Sequence, residues 1–148
     1  MVTNHHKNLA TFIHLSTFSR FLIPFGNIIA PIVLWIANKD KSDFVDTHGK
    51  QAINFQFSIL LYALIIGAVC VPFFVFSLFS HFDILDFHAF DSIHININKP
   101  SPLFYIGGSI GLIAVIGFIL ELVFIINASL KAKDGEKYSY PFTIKFIK

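Results

Sequence analysis

Charge is scarce in this chain: Asp, Glu, Lys and Arg make up only 14% of its 148 residues, against roughly 25% in an ordinary soluble domain, while 55% are hydrophobic. That balance excludes a water-soluble globular fold, and the length leaves room for one domain, residues 1–148. Cysteine is nearly absent too. The one residue of this type, Cys70, excludes an intramolecular disulfide, and its place inside an apolar run disfavours a thiolate, so it is read as packing. The net charge is only +2, and no stretch joins a dense Lys/Arg patch to stacking aromatics, which excludes nucleic acid as a partner. Catalytic motifs are missing as well. There is no HExxH, no GxSxG, no Gly-rich phosphate loop and no CxxC pair, so a noncatalytic protein without a cofactor is expected. The segment Met1 to Asn8 carries one lysine and two histidines, and the apolar run after it far exceeds a signal-peptide core, so no cleaved targeting peptide is expected.

What the chain does have is apolar length. Nineteen phenylalanines, against one tryptophan and one methionine, suit a surface that faces lipid. Three runs, Leu9 to Ala37, Ala52 to Ser80 and Leu103 to Leu130, each exceed the roughly 20 apolar residues that a helix needs to cross a hydrocarbon core about 30 Å thick. The expected fold is an all-α membrane protein of three hydrophobic helical segments (9–37, 52–80 and 103–130) joined by loops 38–51 and 81–102 and ending in a tail, 131–148. The first segment is expected to break at Pro24 and Gly26, because proline lacks a backbone donor and clashes with the preceding turn. Irregular backbone at membrane depth has to be covered by protein, so the stretch Pro24 to Asn27 would face other helices; a plain proline kink is the favoured alternative.

Lysine sets the orientation. Lys39, Lys41 and Lys50 lie in the first loop and Lys131, Lys133, Lys137, Lys145 and Lys148 in the tail, whereas the N-terminus has Lys7 and the second loop only Lys99. The first loop and the tail are therefore expected on the cytoplasmic side and loop 81–102 outside. Three spans would put the N-terminus outside, and a first run that enters and returns would put it inside; the charge count fits both.

Arg20 and Glu121 are the ionisable groups deepest in the apolar runs, where each costs several kcal/mol unless paired or hydrated. With the first and third segments parallel, they sit roughly two helical turns apart, so a direct bridge needs a tilted or broken helix, and snorkelling is the alternative. Asn27, Asn54 and Gln56 complete the candidate intramembrane polar set. The stretch FVDTHGKQAINFQ from Phe44 to Gln56 offers Asp46 or Thr47 as a helix cap and Gly49 as a point of close approach. It also places His48, Gln51, Asn54 and Gln56 on the first turns. Gly107 and Gly111 form a GxxxG spacing, read as packing within the chain before a dimer face. In the second loop His81, His88 and His94, with Asp83, Asp86 and Asp91, could coordinate zinc. The interleaved Phe82, Leu85, Phe87, Phe90 and Ile93 favour an amphipathic segment in the headgroup region instead. The aromatic and basic tail, Tyr138 to Lys148, is likewise expected to dock on headgroups, with a partner protein as the alternative.

Three stretches, HLSTFSRFLIPFGNIIAPIVLWI from His14, FVDTHGKQAINFQ from Phe44 and KAKDGEKYSYPFTIKFIK from Lys131, resemble a family of small bacterial membrane proteins of unknown function described as Tic-twenty-like. The motif residues of the first loop are Phe44, Val45, Asp46, His48, Gly49 and Lys50. The resemblance implies distant similarity to a chloroplast inner-envelope translocon subunit and a multi-pass place in the bacterial cytoplasmic membrane; it carries over no catalytic residues. The expected role is a noncatalytic membrane component of a translocation or transport assembly, with the lipid bilayer, a membrane protein or a second copy as partners. A small channel or carrier lined by Arg20, Asn27, Asn54, Gln56 and Glu121 is the alternative. A metal-dependent enzyme built on the loop histidines comes last.

Overall fold

The computed structural model describes residues 2–81 and 102–148. Among the described residues the regular structure is entirely helical: α1 (Asn4–Leu15), a 3-10 segment (Ser16–Phe21), α2 (Gly26–Ile36), a short 3-10 turn (Lys39–Lys41), α3 (Asp43–His81) and α4 (Pro102–Asp134). Among the described residues two helical stretches are long and apolar enough to cross a membrane, Asp43–Val75 and Gly107–Asp134, whose most apolar 18 residues have mean hydropathies of 2.5 and 2.7. The first apolar run does not form a third.

That run is interrupted where proline and glycine place the break. Thr3 caps α1 by accepting from the His6 N–H at 3.3 Å, and the helix lasts 12 residues. The chain then tightens into the 3-10 segment and turns over residues 22–25. Phe25 takes a left-handed conformation, φ 59°, which ends any helical continuation. A Cβ on Gly26 would lie 2.5 Å from the Ser19 carbonyl oxygen, so only glycine lets the two arms approach this closely. With 12 and 11 residues, α1 and α2 are each about 16 to 18 Å long, roughly half a hydrocarbon core.

The contacts give these helices their direction. Along α1 and the 3-10 segment that follows it, Lys7 Nζ donates to the Asp134 carbonyl (3.1 Å), Thr11 Oγ1 donates to the Ser129 carbonyl (3.4 Å), and Arg20 pairs with Glu121. Sequence numbers rise on one helix as they fall on the other, so α1 is antiparallel to α4. After the turn, Asn27 meets Gln56 and Trp35 meets Asp46, so α2 is antiparallel to α3. The first run is therefore a helical hairpin. It starts and ends beside the first turns of α3 and the last turns of α4, and it replaces the expected first segment. Ala10, Ala52, Ala128 and Ala132 are fully buried among Ile13, Phe44, Val45, Phe55 and Ile125, and their small side chains allow these helices to pack closely.

Helix α4 ends in a Schellman turn: Gly135 has φ 85°, its N–H donates to the Ala132 carbonyl, and the Glu136 N–H donates to the Lys131 carbonyl. The tail then folds onto α3. Gln51 Oε1 accepts from the Tyr140 N–H (3.4 Å), the Tyr62 hydroxyl donates to the Phe142 carbonyl (2.7 Å), and Ser58 Oγ accepts from the Ile144 N–H (2.8 Å). Asn54 Oδ1 accepts from the Phe146 and Ile147 N–H groups, and its Nδ2 donates to the Ile147 carbonyl. The tail runs along α3 as far as Tyr62, reverses at Phe142, where φ is 57°, and returns to Asn54. Hydrogen bonds between α3 side chains and the tail backbone hold this segment.

The chain forms two compact units, Met1–Tyr62 with Ile119–Lys148, and Ala63–Phe118. In the second, described residues such as Leu64, Val69, Phe73, Leu112 and Ile113 are exposed, as suits helices that face lipid. No described atom lies within 4 Å of a Cβ built on Gly107 or Gly111, so the packing expected there within the chain is not found among the described residues. The loop with His88 and His94 and its amphipathic segment lie outside the described residues, as does the side chain of His81.

Candidate functional site

The polar residues of the hairpin and of α3 gather into two buried layers. The inner one centres on Arg20, which the 3-10 segment presents to α4. Its guanidinium donates Nη1 to Glu121 Oε2 (2.8 Å) and Nη2 to Glu121 Oε1 (2.6 Å), a bidentate pair. Gln56 Oε1 accepts from Arg20 Nη2 (3.2 Å) and from Asn27 Nδ2 (2.7 Å), while Gln56 Nε2 donates to Glu121 Oε1 (3.3 Å). Four segments, the two hairpin arms, α3 and α4, are joined by these four side chains. The Glu121 side chain is only 7% exposed against 24% for Arg20, so the carboxylate depends on its partners rather than on water. Snorkelling is thereby replaced by direct pairing. The expected two-turn offset vanishes because α1 runs antiparallel to α4, which brings the two residues to one level.

The outer layer links His14, His48 and Tyr140. His14 Nε2 lies 2.8 Å from His48 Nδ1, His48 Nε2 lies 3.2 Å from the Glu136 carbonyl oxygen, and the Tyr140 hydroxyl lies 2.8 Å from His14 Nδ1. The carbonyl can only accept, and this fixes every proton in the chain of neutral rings. His48 carries its proton on Nε2 and accepts at Nδ1. His14 then donates from Nε2 and accepts at Nδ1, and the Tyr140 hydroxyl is the donor. Burial pushes the Tyr140 phenol well above its usual range, which keeps that donor protonated. Tyr140 also stacks on Phe55 with ring centroids 4.1 Å apart. The two histidine nitrogens are closer than two ligands of one zinc ion, which at bonds of about 2.0 to 2.1 Å in a tetrahedron sit more than roughly 3 Å apart. Among the described residues no group of three or more His, Cys, Asp or Glu is placed to hold a metal.

At the outer end, Trp35 Nε1 donates to Asp46 Oδ1 (2.8 Å), and Lys50 bridges Asp46 Oδ2 (2.5 Å). Gly49 leaves room for the Trp35 ring, into which any Cβ at that position would project. This is the close approach expected of Gly49. Phe44 packs on His48 and Val45 on Ile13, so the whole motif stretch Phe44 to Lys50 serves packing or pairing. An open cleft of about 580 Å³ lies beside it, lined by Trp35, Lys39, Asp40, Asp43, Asp46 and Lys148 among others. Its charges are of both signs.

Of the expected polar set, Arg20, Asn27, Gln56 and Glu121 meet in one layer, while Asn54 stands apart and binds the tail. The sequence reading did not single out His14, Trp35, Ser58, Tyr62 or Tyr140 as site residues. The signal that could have found them is the run of polar positions at helical spacing on α3, Gln51, Asn54, Ser58 and Tyr62, which demands a partner along the whole face.

A model of the MamF/MmsF family, described as a magnetosome magnetite crystal formation protein family, matches residues 5–147. Neither the curated proteins nor the solved structures contain a match. The family match covers nearly the whole chain and overturns the Tic-twenty-like resemblance, and with it the translocation role that the resemblance implied.

Proposed function

The chain belongs to the magnetosome magnetite crystal formation protein family, and from that membership we propose that it is a noncatalytic structural protein of a bacterial compartment membrane. In this reading α3 and α4 cross the bilayer, while α1 and α2 enter from the cytoplasmic side and return without crossing. Lys7, Lys39, Lys41, Lys131, Lys133 and Lys137 all lie on segments at the end where the hairpin starts and finishes, the side on which lysine is retained. The tip fits this placement through its side chains and not through the protein cover expected for it: Phe21, Leu22, Ile23 and Phe25 are exposed and apolar rather than turned toward other helices, and the Leu22, Ile23 and Gly26 N–H groups are satisfied within the turn.

The observation that carries the structural reading is the closure of the inner layer on itself. Arg20 satisfies both oxygens of Glu121, and the Gln56 oxygen takes donors from both arms of the hairpin. Groups so engaged hold a shape. A channel or carrier reading, which needs these residues to face a passing solute, has less support, because Asn54 is taken up by the tail and the other four by each other. A contribution to crystal formation would run through contacts of this membrane body with lipid and with partner proteins.

Photo-crosslinking in native membranes from Gly111 and Phe142, both exposed, tests the proposal. Recurring adducts to one membrane protein support it. Monomer alone, together with solute flux in proteoliposomes, would favour the channel reading.

A further inference from the structure

We infer that Tyr140 is a reversible one-electron site: a water-borne one-electron oxidant takes an electron from it by way of Tyr138, and the phenol passes its proton into the histidine pair as the electron leaves. Every residue involved lies in the compact unit Met1–Tyr62 with Ile119–Lys148. This adds an activity to the structural role proposed above, and it holds wherever the membrane lies along the hairpin.

Loss of an electron makes a phenol strongly acidic, so a tyrosine is oxidised most readily where a base already accepts from its hydroxyl. His14 Nδ1 meets that condition at 2.8 Å, within reach for proton transfer. The direction of the protons lets the charge move on. As His14 Nδ1 takes the phenol proton, the proton on His14 Nε2 passes to His48 Nδ1, 2.8 Å away. One oxidant is thereby reduced by one electron, Tyr140 becomes a neutral phenoxyl radical, His14 ends neutral, and His48 carries a proton on each nitrogen. That cation keeps its Nε2 bond to the Glu136 carbonyl (3.2 Å) and has the Phe44 ring 4.4 Å away between centroids. Both contacts favour a positive charge. The carbonyl takes no proton onward, so the proton stays in the layer and returns along the same path when the electron does.

The surroundings shelter the radical and connect it to the surface. Tyr140 is 3% exposed and both histidines are fully buried, which keeps water and second radicals away. Phe55 covers one face of the Tyr140 ring, and phenylalanine is much harder to oxidise than tyrosine, so the electron vacancy does not leave on that side. Tyr138 stands edge-on to Tyr140 with centroids 5.1 Å apart and is itself only partly buried, so a phenol of the same chemistry joins the enclosed ring to water. The vacancy comes to rest on Tyr140 because its proton has a base to go to.

The test uses the full chain in mild detergent, with flash-generated ruthenium(III) tris-bipyridine as oxidant and electron paramagnetic resonance as readout. Samples frozen after the flash should contain a neutral tyrosyl radical that is coupled to isotopically labelled histidine, and ascorbate should restore a chain that can be oxidised again. Tyr140→Phe should lose this signal. Tyr138→Phe should slow its appearance and leave its shape unchanged. Tyr140→Phe also weakens the fold, so the histidine coupling in the unaltered chain decides independently of any variant. No tyrosyl radical, a radical without that coupling, a signal that survives Tyr140→Phe, or one that ascorbate cannot reset would each overturn the inference. An unchanged rate in Tyr138→Phe would overturn the route through Tyr138.

Discussion

Lys7 and Asp134 lie 127 residues apart in sequence, and the Lys7 ammonium donates to the Asp134 carbonyl at 3.1 Å. A cation at the end of a helix, where the carbonyls are unsatisfied, is favourable in itself. Here it also ties the start of the chain to the start of the tail. Once that contact is made, the first apolar run has to turn back, because its far end must still reach Asp43 at the same end of the bundle.

The Arg20–Glu121 pair should behave as a lock whose halves are useless apart. Arg20→Leu leaves Glu121 buried without its partner and should cost about 3 kcal/mol, whereas Arg20→Leu with Glu121→Leu should recover much of that loss. Unfolding in mild detergent measures the four corners of the cycle. Additive losses would mean that the two residues act separately.

Asn54→Ala removes three hydrogen bonds to the backbone of residues 146 and 147. At about 1 kcal/mol each, the tail should open at least tenfold more often. Limited proteolysis at Lys145 should accelerate accordingly, with α3 and α4 still intact.

Much of the polar layer was legible in the sequence, and the topology was not. Arg20, Asn27, Gln56 and Glu121 stand out because polar side chains in apolar runs demand partners, and Gly49 because a glycine at a helix start invites close approach. The break at Pro24 and Gly26 was equally plain. The direction of the chain after the break was hidden, because a 29-residue run fits one tilted span as well as two half-length helices, and lysine is found near both of its ends. The tail was hidden for a different reason. Its alternation of aromatic and polar residues fits a headgroup surface, and nothing local announces that Tyr140 reaches His14, 126 residues away.

Gly49→Ala should displace the only tryptophan. The added methyl meets the Trp35 ring, an overpacking cost of about 1 to 3 kcal/mol that outweighs the gain of roughly 1 kcal/mol from replacing glycine within a helix. Loss of the Asp46 bond should appear as a shift in Trp35 emission. An unchanged spectrum would show that the ring has another place to go.

Tyr140 should make the fold sensitive to alkali. Its phenol is raised in the folded chain, so its contribution is intact below the ordinary tyrosine value of 10.0 and is lost as pH climbs from there toward the folded value. Tyr140→Phe should remove that alkaline loss while lowering stability at neutral pH by about 1 to 3 kcal/mol, because His14 Nδ1 is left buried without a donor. Thermal unfolding followed from neutral to alkaline pH separates the two effects.

The most direct test of the hairpin is the side of the membrane on which the N-terminus lies. Thr3→Cys and Ser139→Cys, each in a Cys70→Ala background, are exposed to a membrane-impermeant thiol reagent on isolated compartment vesicles, whose outer face is cytoplasmic, before and after permeabilisation with detergent. The hairpin predicts that both sites are labelled in sealed vesicles. Labelling of Ser139→Cys in sealed vesicles, with Thr3→Cys labelled only after permeabilisation, would mean that the first run crosses the bilayer and would contradict the account.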